Sequence, residues 1–282
     1  MIILLLTLPF LALIFWTLSN SYIKKTLKFL DSNTLSILVA GAGLIPIFIF
    51  IFLDGGIILN PILLPLGVIS GILLGSGYLL FYRGLGVESL SGTGVTLNIQ
   101  QVIVIFISIF FLKEAVNDFE YMGIFLIIMG ATLVTVQNSP SKRKFLIIAG
   151  LANIAWGLYY LPLSESILMV HFSAMPLFIG RLVGFIFVIL VSYRDLRKGH
   201  PALKTKIPYA IGFIAGIFDG LGNIFYSFSI QMGIFVVSGA IVALIPATLA
   251  IIGFSYFKDR MTGLKLAGII VSVMGAILIS LS

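Results

Sequence analysis

Gly123-Ile-Phe-Leu-Ile-Ile-Met-Gly-Ala-Thr-Leu133 returns 145 residues later as Gly268-Ile-Ile-Val-Ser-Val-Met-Gly-Ala-Ile-Leu278, with six identities in eleven positions. Glycines seven apart fall on one face of a helix, and small residues so placed let two apolar helices approach closely. The same spacing carries Gly67, Gly71, Gly75 and Gly77 onto Gly212, Gly216, Gly220 and Gly222 without a gap. It also carries Gly94 onto Gly239 and Lys113-Glu114 onto Lys258-Asp259. With a spacing of 140 in the front part, Trp16 falls on Trp156. The chain reads as one unit written twice.

Composition says where that unit lives. Of 282 residues, 60% are hydrophobic and only 10% charged, with mean hydropathy +1.20. A soluble domain carries about 25% charged residues, so a soluble globular fold is excluded and the chain is an integral membrane protein. With about 20 apolar residues per crossing, the apolar runs give ten spans, near 2–19, 35–53, 61–82, 91–112, 119–137, 144–163, 173–193, 207–228, 234–257 and 262–281. Uninterrupted runs such as Val102 to Leu112 lack the alternation of a barrel strand, so the fold class is all-α. The first run, Met1 to Trp16, has no basic region ahead of it and no small-residue cleavage site behind it. It reads as a first membrane helix instead of a signal peptide.

Residues 1–138 then form a first five-helix repeat, 139–143 a basic linker and 144–282 a second repeat. Five is odd, so the second copy crosses the membrane in the opposite sense, the inverted plan of many secondary transporters. Two halves that exchange shapes open a central cavity first to one side and then to the other. Fifteen of the 17 Lys and Arg residues lie at or beside the odd-numbered loops, Lys113 lies at an even one and Arg181 within a span. Enrichment of basic residues in cytoplasmic loops puts the odd loops in the cytoplasm and both termini outside, in a multi-pass plasma-membrane protein.

Several chemistries are excluded. There is no cysteine, and there are only two histidines, His171 and His200, so disulfides, thiolate metal sites and histidine-rich metal centres are absent. The net charge of +7 sits in clusters beside apolar runs, where it meets anionic lipid and not nucleic acid. No nucleotide-binding loop of the G-x4-G-K-[ST] type occurs, and no second carboxylate stands at the depth of Asp219. The chain is read as no enzyme and as needing no cofactor.

At this point the pattern resembles the drug/metabolite transporter superfamily, in particular its EamA-type ten-helix members. The resemblance rests on Trp16 and Trp156-Gly157 near the start of each half, Phe81-Tyr82 and Phe225-Tyr226 at the ends of the third helices, and Lys113-Glu114 and Lys258-Asp259 closing the fourth. The two glycine-bearing fifth helices complete it. Pro246 matches a proline common in the family's fourth helices, and Gln101 stands in its place in the first half. The resemblance implies a small-metabolite carrier, often an exporter, with a cavity lined by the first, third and fourth helices of each half. It also implies termini in the cytoplasm, opposite to the charge count.

Polar groups deep in a span cost about 2.5–3.5 kcal/mol for Asp, Lys or Arg, so each needs a reason. Asp219 lies midway along the eighth span, while its mate at the 145 spacing is the apolar Leu74. A carboxylate there binds a cationic group or takes up and releases a proton, making Asp219 the candidate coupling residue; the structural alternative pairs it with Arg181. Asn223 and Tyr226 continue its face at i+4 and i+7. The fourth span contributes Asn98 and Gln101, with Gln100 beside them, as neutral donors and acceptors. Asn153, Trp156 and Tyr160 form a stripe on the sixth span, with Tyr159 to its side, and Trp16 with Asn20 takes the matching place on the first. Tyr78 and Tyr82 continue the glycine face of the third span. Aromatic rings stack on planar solutes or hold cations by their faces, and the same residues also serve as packing or interfacial anchors. Glu88, Glu114, Asp118, Glu120 and Glu165 fall at span ends and are read as solvated. The expected function is secondary transport of a small organic solute, driven by protons through Asp219 or by exchange, as a monomer or homodimer; a channel or lipid-handling pore is the alternative.

Overall fold

The computed structural model describes the backbone of residues 2–58, 60–85, 90–135, 143–197, 206–256, 258 and 260–281, with side chains except at 2–5, 90–98, 135, 143–146, 194–197 and 280. Among these residues all regular structure is helical. The segments are α1 (Ile2–Thr26), α2 (Ser32–Ala42), α3 (Leu44–Leu53), α4 (Leu63–Leu85), α5 (Leu90–Phe110) and α6 (Asp118–Thr135). They continue as α7 (Arg143–Val170), α8 (Ala174–Arg197), α9 (Ile207–Gln231), α10 (Phe235–Val242), α11 (Ile245–Ser255) and α12 (Gly263–Ser280). Seven stretches are long and apolar enough to cross a membrane, and the shorter Ile99–Phe110 and Gly263–Ile279 are apolar as well. Large apolar side chains such as Phe48, Phe125 and Leu190 stand outward on the bundle, while Ser, Asn and Gln are turned in. That arrangement suits hydrocarbon around the molecule.

Two expected spans are broken. The second divides at Gly43 into α2 and α3, and the ninth divides at Ala243 and Leu244 into α10 and α11. Each break precedes a proline, Pro46 and Pro246, which lacks the N–H that would bond the carbonyl four residues back. The first and sixth spans run further than expected, to Thr26 and Val170. Their polar residues bond their own helix and so do not end it: Asn20 donates to the Trp16 carbonyl at 2.8 Å, Ser21 to Thr17 at 2.8 Å and Ser166 to Pro162 at 2.7 Å.

The helices pack in contacts that recur at the repeat spacing. α4 lies on α7 and α8, while α9 lies on α1 and α2. A methyl group added at Gly222 would sit 2.7 Å from the Trp16 indole, and one at Gly77 would collide with Trp156. The third helix of each half therefore seats the tryptophan of the other half on a missing side chain. α6 packs on α12 through four glycines in reciprocal register: a Cβ at Gly130 would lie 2.5 Å from the Gly268 carbonyl oxygen, and one at Gly268 2.5 Å from that of Gly130. Gly123 and Gly275 meet in the same way. Van der Waals packing of bare backbones holds these helices, because burial of apolar surface drives nothing inside hydrocarbon. Lys113 and Lys258, 145 apart, share a left-handed backbone with φ of 58° and 61°.

Candidate functional site

Helix α9 carries Asp219 and Asn223 one turn apart at mid-length, and Asp219 is the meeting point of four helices. Its Oδ2 accepts from the Tyr78 hydroxyl of α4 at 2.5 Å and from Arg181 Nη1 of α8 at 2.6 Å. Arg181 also donates from Nη1 to the Tyr78 hydroxyl at 2.8 Å, from Nη2 to the Val39 carbonyl at 2.9 Å and from Nε to the Ala40 carbonyl at 3.2 Å. Its guanidinium carbon stands 5.4 Å from the Tyr78 ring centre.

The local structure explains this wiring. Val39 and Ala40 belong to the last turn of α2, where carbonyls run short of helical partners; the Val39 carbonyl keeps the Gly43 N–H at 3.1 Å, and the break at Gly43 sets that turn deep in the bundle. Backbone freed at such depth must be satisfied by protein, and a cation is favoured at a helix C-terminus. Arg181 meets both needs. Any side chain at position 43 would occupy the guanidinium's own place.

Beside this knot lies a cavity of about 50 Å³, roomy enough for a few waters. α1 contributes Trp16, Asn20 and Ile23, α4 contributes Leu74, Tyr78 and Tyr82, and α5 contributes Gln100 and Gln101. From the second half come Trp156, Tyr159 and Tyr160 of α7, Asp219 and Asn223 of α9, and Ile245 of α11. Eight of the residues singled out from sequence thus share one space. Arg181 is fully buried and does not line it.

Other expected positions fall elsewhere. Asn153 is buried behind the cavity wall, with Nδ2 on the Ala149 carbonyl at 2.7 Å and Oδ1 unpartnered. Tyr226 stands outside the cavity and donates to Gln101 Oε1 at 3.1 Å. It packs with Trp16 at 5.0 Å, Tyr160 at 5.0 Å and Phe235 at 5.3 Å between ring centres. Both are therefore packing residues in this state, because helical spacing assigns a face but not the helix that face meets. Asn98 lies outside the described side chains. Asn20, Gln100 and Tyr159, left at the margin of the sequence reading, belong to the lining.

From Tyr160 in the lining, a cluster of rings with Tyr226 and Phe235 runs toward the start of α10. A residue that the sequence left as solvated organises that end. Glu114 accepts from the Phe235 N–H at 2.6 Å and the Val236 N–H at 2.7 Å, capping α10 of the other half. The left-handed turn at Lys113 swings it there; the only prior signal was the recurrence of Lys113-Glu114 at Lys258-Asp259. Burial pushes the Glu114 carboxyl up from an ordinary 4.5 to about 7, against the two N–H groups that favour its charge, and with help from the Glu120 charge. A carboxyl raised on folding adds stability that is complete below pH 4.5 and is lost as pH climbs through 7. Wild-type protein is therefore expected to lose about 2–3 kcal/mol between pH 5 and 8 relative to the Glu114→Gln variant, read as the pH dependence of the unfolding midpoint in detergent. Parallel pH profiles for the two proteins would refute this.

Comparison with known proteins adds family and fold. The family model described as the EamA-like transporter family matches residues 1–136 and 143–281. No curated protein matches. Among solved structures 28 chains match. One of them, described only as the crystal structure of a protein, superposes with a TM-score of 0.73 at 13% identity, covering 96% of this chain and 94% of its own. That likeness concerns the fold alone.

Proposed function

We propose, from the premise that this chain belongs to the EamA-like transporter family, that it carries a small organic solute across the membrane by alternating access. The moving parts are two inverted five-helix repeats, residues 1–138 and 144–282, with ten crossings and the basic odd-numbered loops in the cytoplasm. The two family-model stretches and the reciprocal glycine and tryptophan contacts support the duplication. The observation that carries the reading is the cavity itself, lined by three elements of each half, with the edge-to-face rings of Tyr160, Tyr226 and Phe235 packed beside it.

Neutral amides and aromatic faces suit a ligand that must be held and then released. The interfaces that would slide are bare-backbone contacts between halves, so exchanging their shapes exposes few polar groups to lipid. Asp219 is ion-paired with Arg181 in this state. Proton coupling through Asp219 therefore requires a stage at which α8 and α9 part, and solute exchange does not.

Purified protein in proteoliposomes, offered pools of amino acids, amines, nucleosides and sugars, tests the reading by tracer counter-flow. At least one pool is expected to show saturation and acceleration by the same solute on the far side. Flux that neither saturates nor accelerates would establish the channel or lipid-handling pore instead.

A further inference from the structure

We infer that the cavity takes a cationic solute, an ammonium or guanidinium group on a planar or apolar body, with Asp219 Oδ1 as its acceptor. The inference rests on the carrier reading of this same cavity.

Asp219 is the sole charged group among the described lining residues. Its partner Arg181 is fully buried, with four N–H bonds to the Val39 and Ala40 carbonyls, the Tyr78 hydroxyl and Asp219 Oδ2. The pair is neutral as a whole but oriented, with its positive pole turned into α2 and its negative pole toward the cavity. The Asp219 side chain keeps 12% exposure, and no described residue donates to Oδ1.

The amides point the same way. Asn20 and Asn223 each commit an N–H to the carbonyl one turn back on their own helix, Trp16 and Asp219 respectively, both at 2.8 Å. A backbone carbonyl only accepts, which identifies the bonded atom as nitrogen and leaves each amide oxygen free. The lining therefore offers Asp219 Oδ1 and two amide oxygens as acceptors, with one further N–H left on each amide. Gln101 is the reverse, since its oxygen is taken by Tyr226 and its N–H groups remain, suiting a neutral acceptor on the solute's far end. The aromatic walls add ring faces that attract cations. An anion would have to shed its water beside an ionised carboxylate, a cost with no compensating cation in the lining.

The chain's two tryptophans, Trp16 and Trp156, both line the cavity, so intrinsic fluorescence reports its occupancy. Detergent-solubilised protein titrated with phenethylammonium, 2-phenylethanol and phenylacetate meets one body with three charges. A saturable fluorescence change is expected with phenethylammonium, at least tenfold tighter than with the alcohol, and none with phenylacetate. The double variant Arg181→Gln/Asp219→Asn, neutral on both sides, is expected to lose that preference. No saturable response to the cation, or binding of the alcohol or acid at least as tight, overturns the inference on the wild-type protein alone, whether or not the variant folds. Counter-flow of the same three probes separates the two readings. Cation binding without counter-flow of any probe sinks the carrier reading and leaves the cation site standing, whereas counter-flow of phenylacetate or the alcohol in preference to the cation does the opposite.

Discussion

Asp219→Asn is expected to lower stability by about 3–5 kcal/mol, because it leaves the Arg181 guanidinium charged, buried and without a counter-ion. Arg181 is fully buried and 2.6 Å from the carboxylate it would lose. The remaining partners are the Tyr78 hydroxyl and two backbone carbonyls, which orient the charge but do not neutralise it. Arg181→Gln is expected to be comparably harmful, since it strands the carboxylate and removes the donors that reach the Val39 and Ala40 carbonyls. The double variant Arg181→Gln/Asp219→Asn restores neutrality and is expected to be more stable than either single one, a coupling of one to a few kcal/mol in a double-mutant cycle. The midpoint of SDS-induced unfolding, followed by tryptophan fluorescence, measures all four proteins. If the two single losses simply add in the double variant, the pair is not a unit and the account of the knot fails.

Gly130→Leu is expected to prevent stable packing of α6 on α12. Its Cβ would lie 2.5 Å from both the Gly268 carbonyl oxygen and the Ser272 nitrogen, atoms of a helix backbone that cannot swing aside. Overpacking a soluble core costs about 1–3 kcal/mol; here two helices must separate along their length, so a loss at or beyond the top of that range is expected. Gly268→Leu is expected to match it, because the contact is reciprocal. Gly150→Ala is the contrasting substitution, since its Cβ would meet only Ile99 Cδ1, at 3.8 Å. There, relief of glycine's low helix propensity favours the change by up to about 1 kcal/mol. Yield of monodisperse protein and the SDS midpoint give the comparison. Equal tolerance at positions 130 and 150 would mean that the glycine seam holds nothing together.

Much of this was legible in the sequence, for identifiable reasons. The crossings follow from apolar runs. The close-packing faces of α6 and α12 follow from glycines seven apart that recur after 145 residues, although not that these two faces meet each other. Gly77 and Gly222 announced themselves by the same recurrence, and Trp16 and Trp156, which they turned out to seat, by a spacing of 140. Asp219 stood out because it broke the recurrence, a charge where the first half has Leu74. Each of these signals is local or periodic, and a one-dimensional reading captures both kinds.

What the sequence by itself determined is therefore the membrane class, a pattern of residues that recurs after 145 positions and the helix faces on which polar groups ride. The tertiary structure alone decided which faces meet. Tyr78 and Asp219 are 141 residues apart, and only the fold makes them partners of Arg181. It also drew Tyr226 and Asn153 into packing, broke the second span at Gly43 and sent Glu114 to cap a helix of the other half. The orientation of the Arg181–Asp219 pair belongs to the same kind: whether Oδ1 faces protein or open space depends on where donors from four helices converge. Spacing along a chain fixes the angle of a side chain about its own helix axis, whereas partnership and free valence depend on the relative placement of several axes, which no single segment encodes.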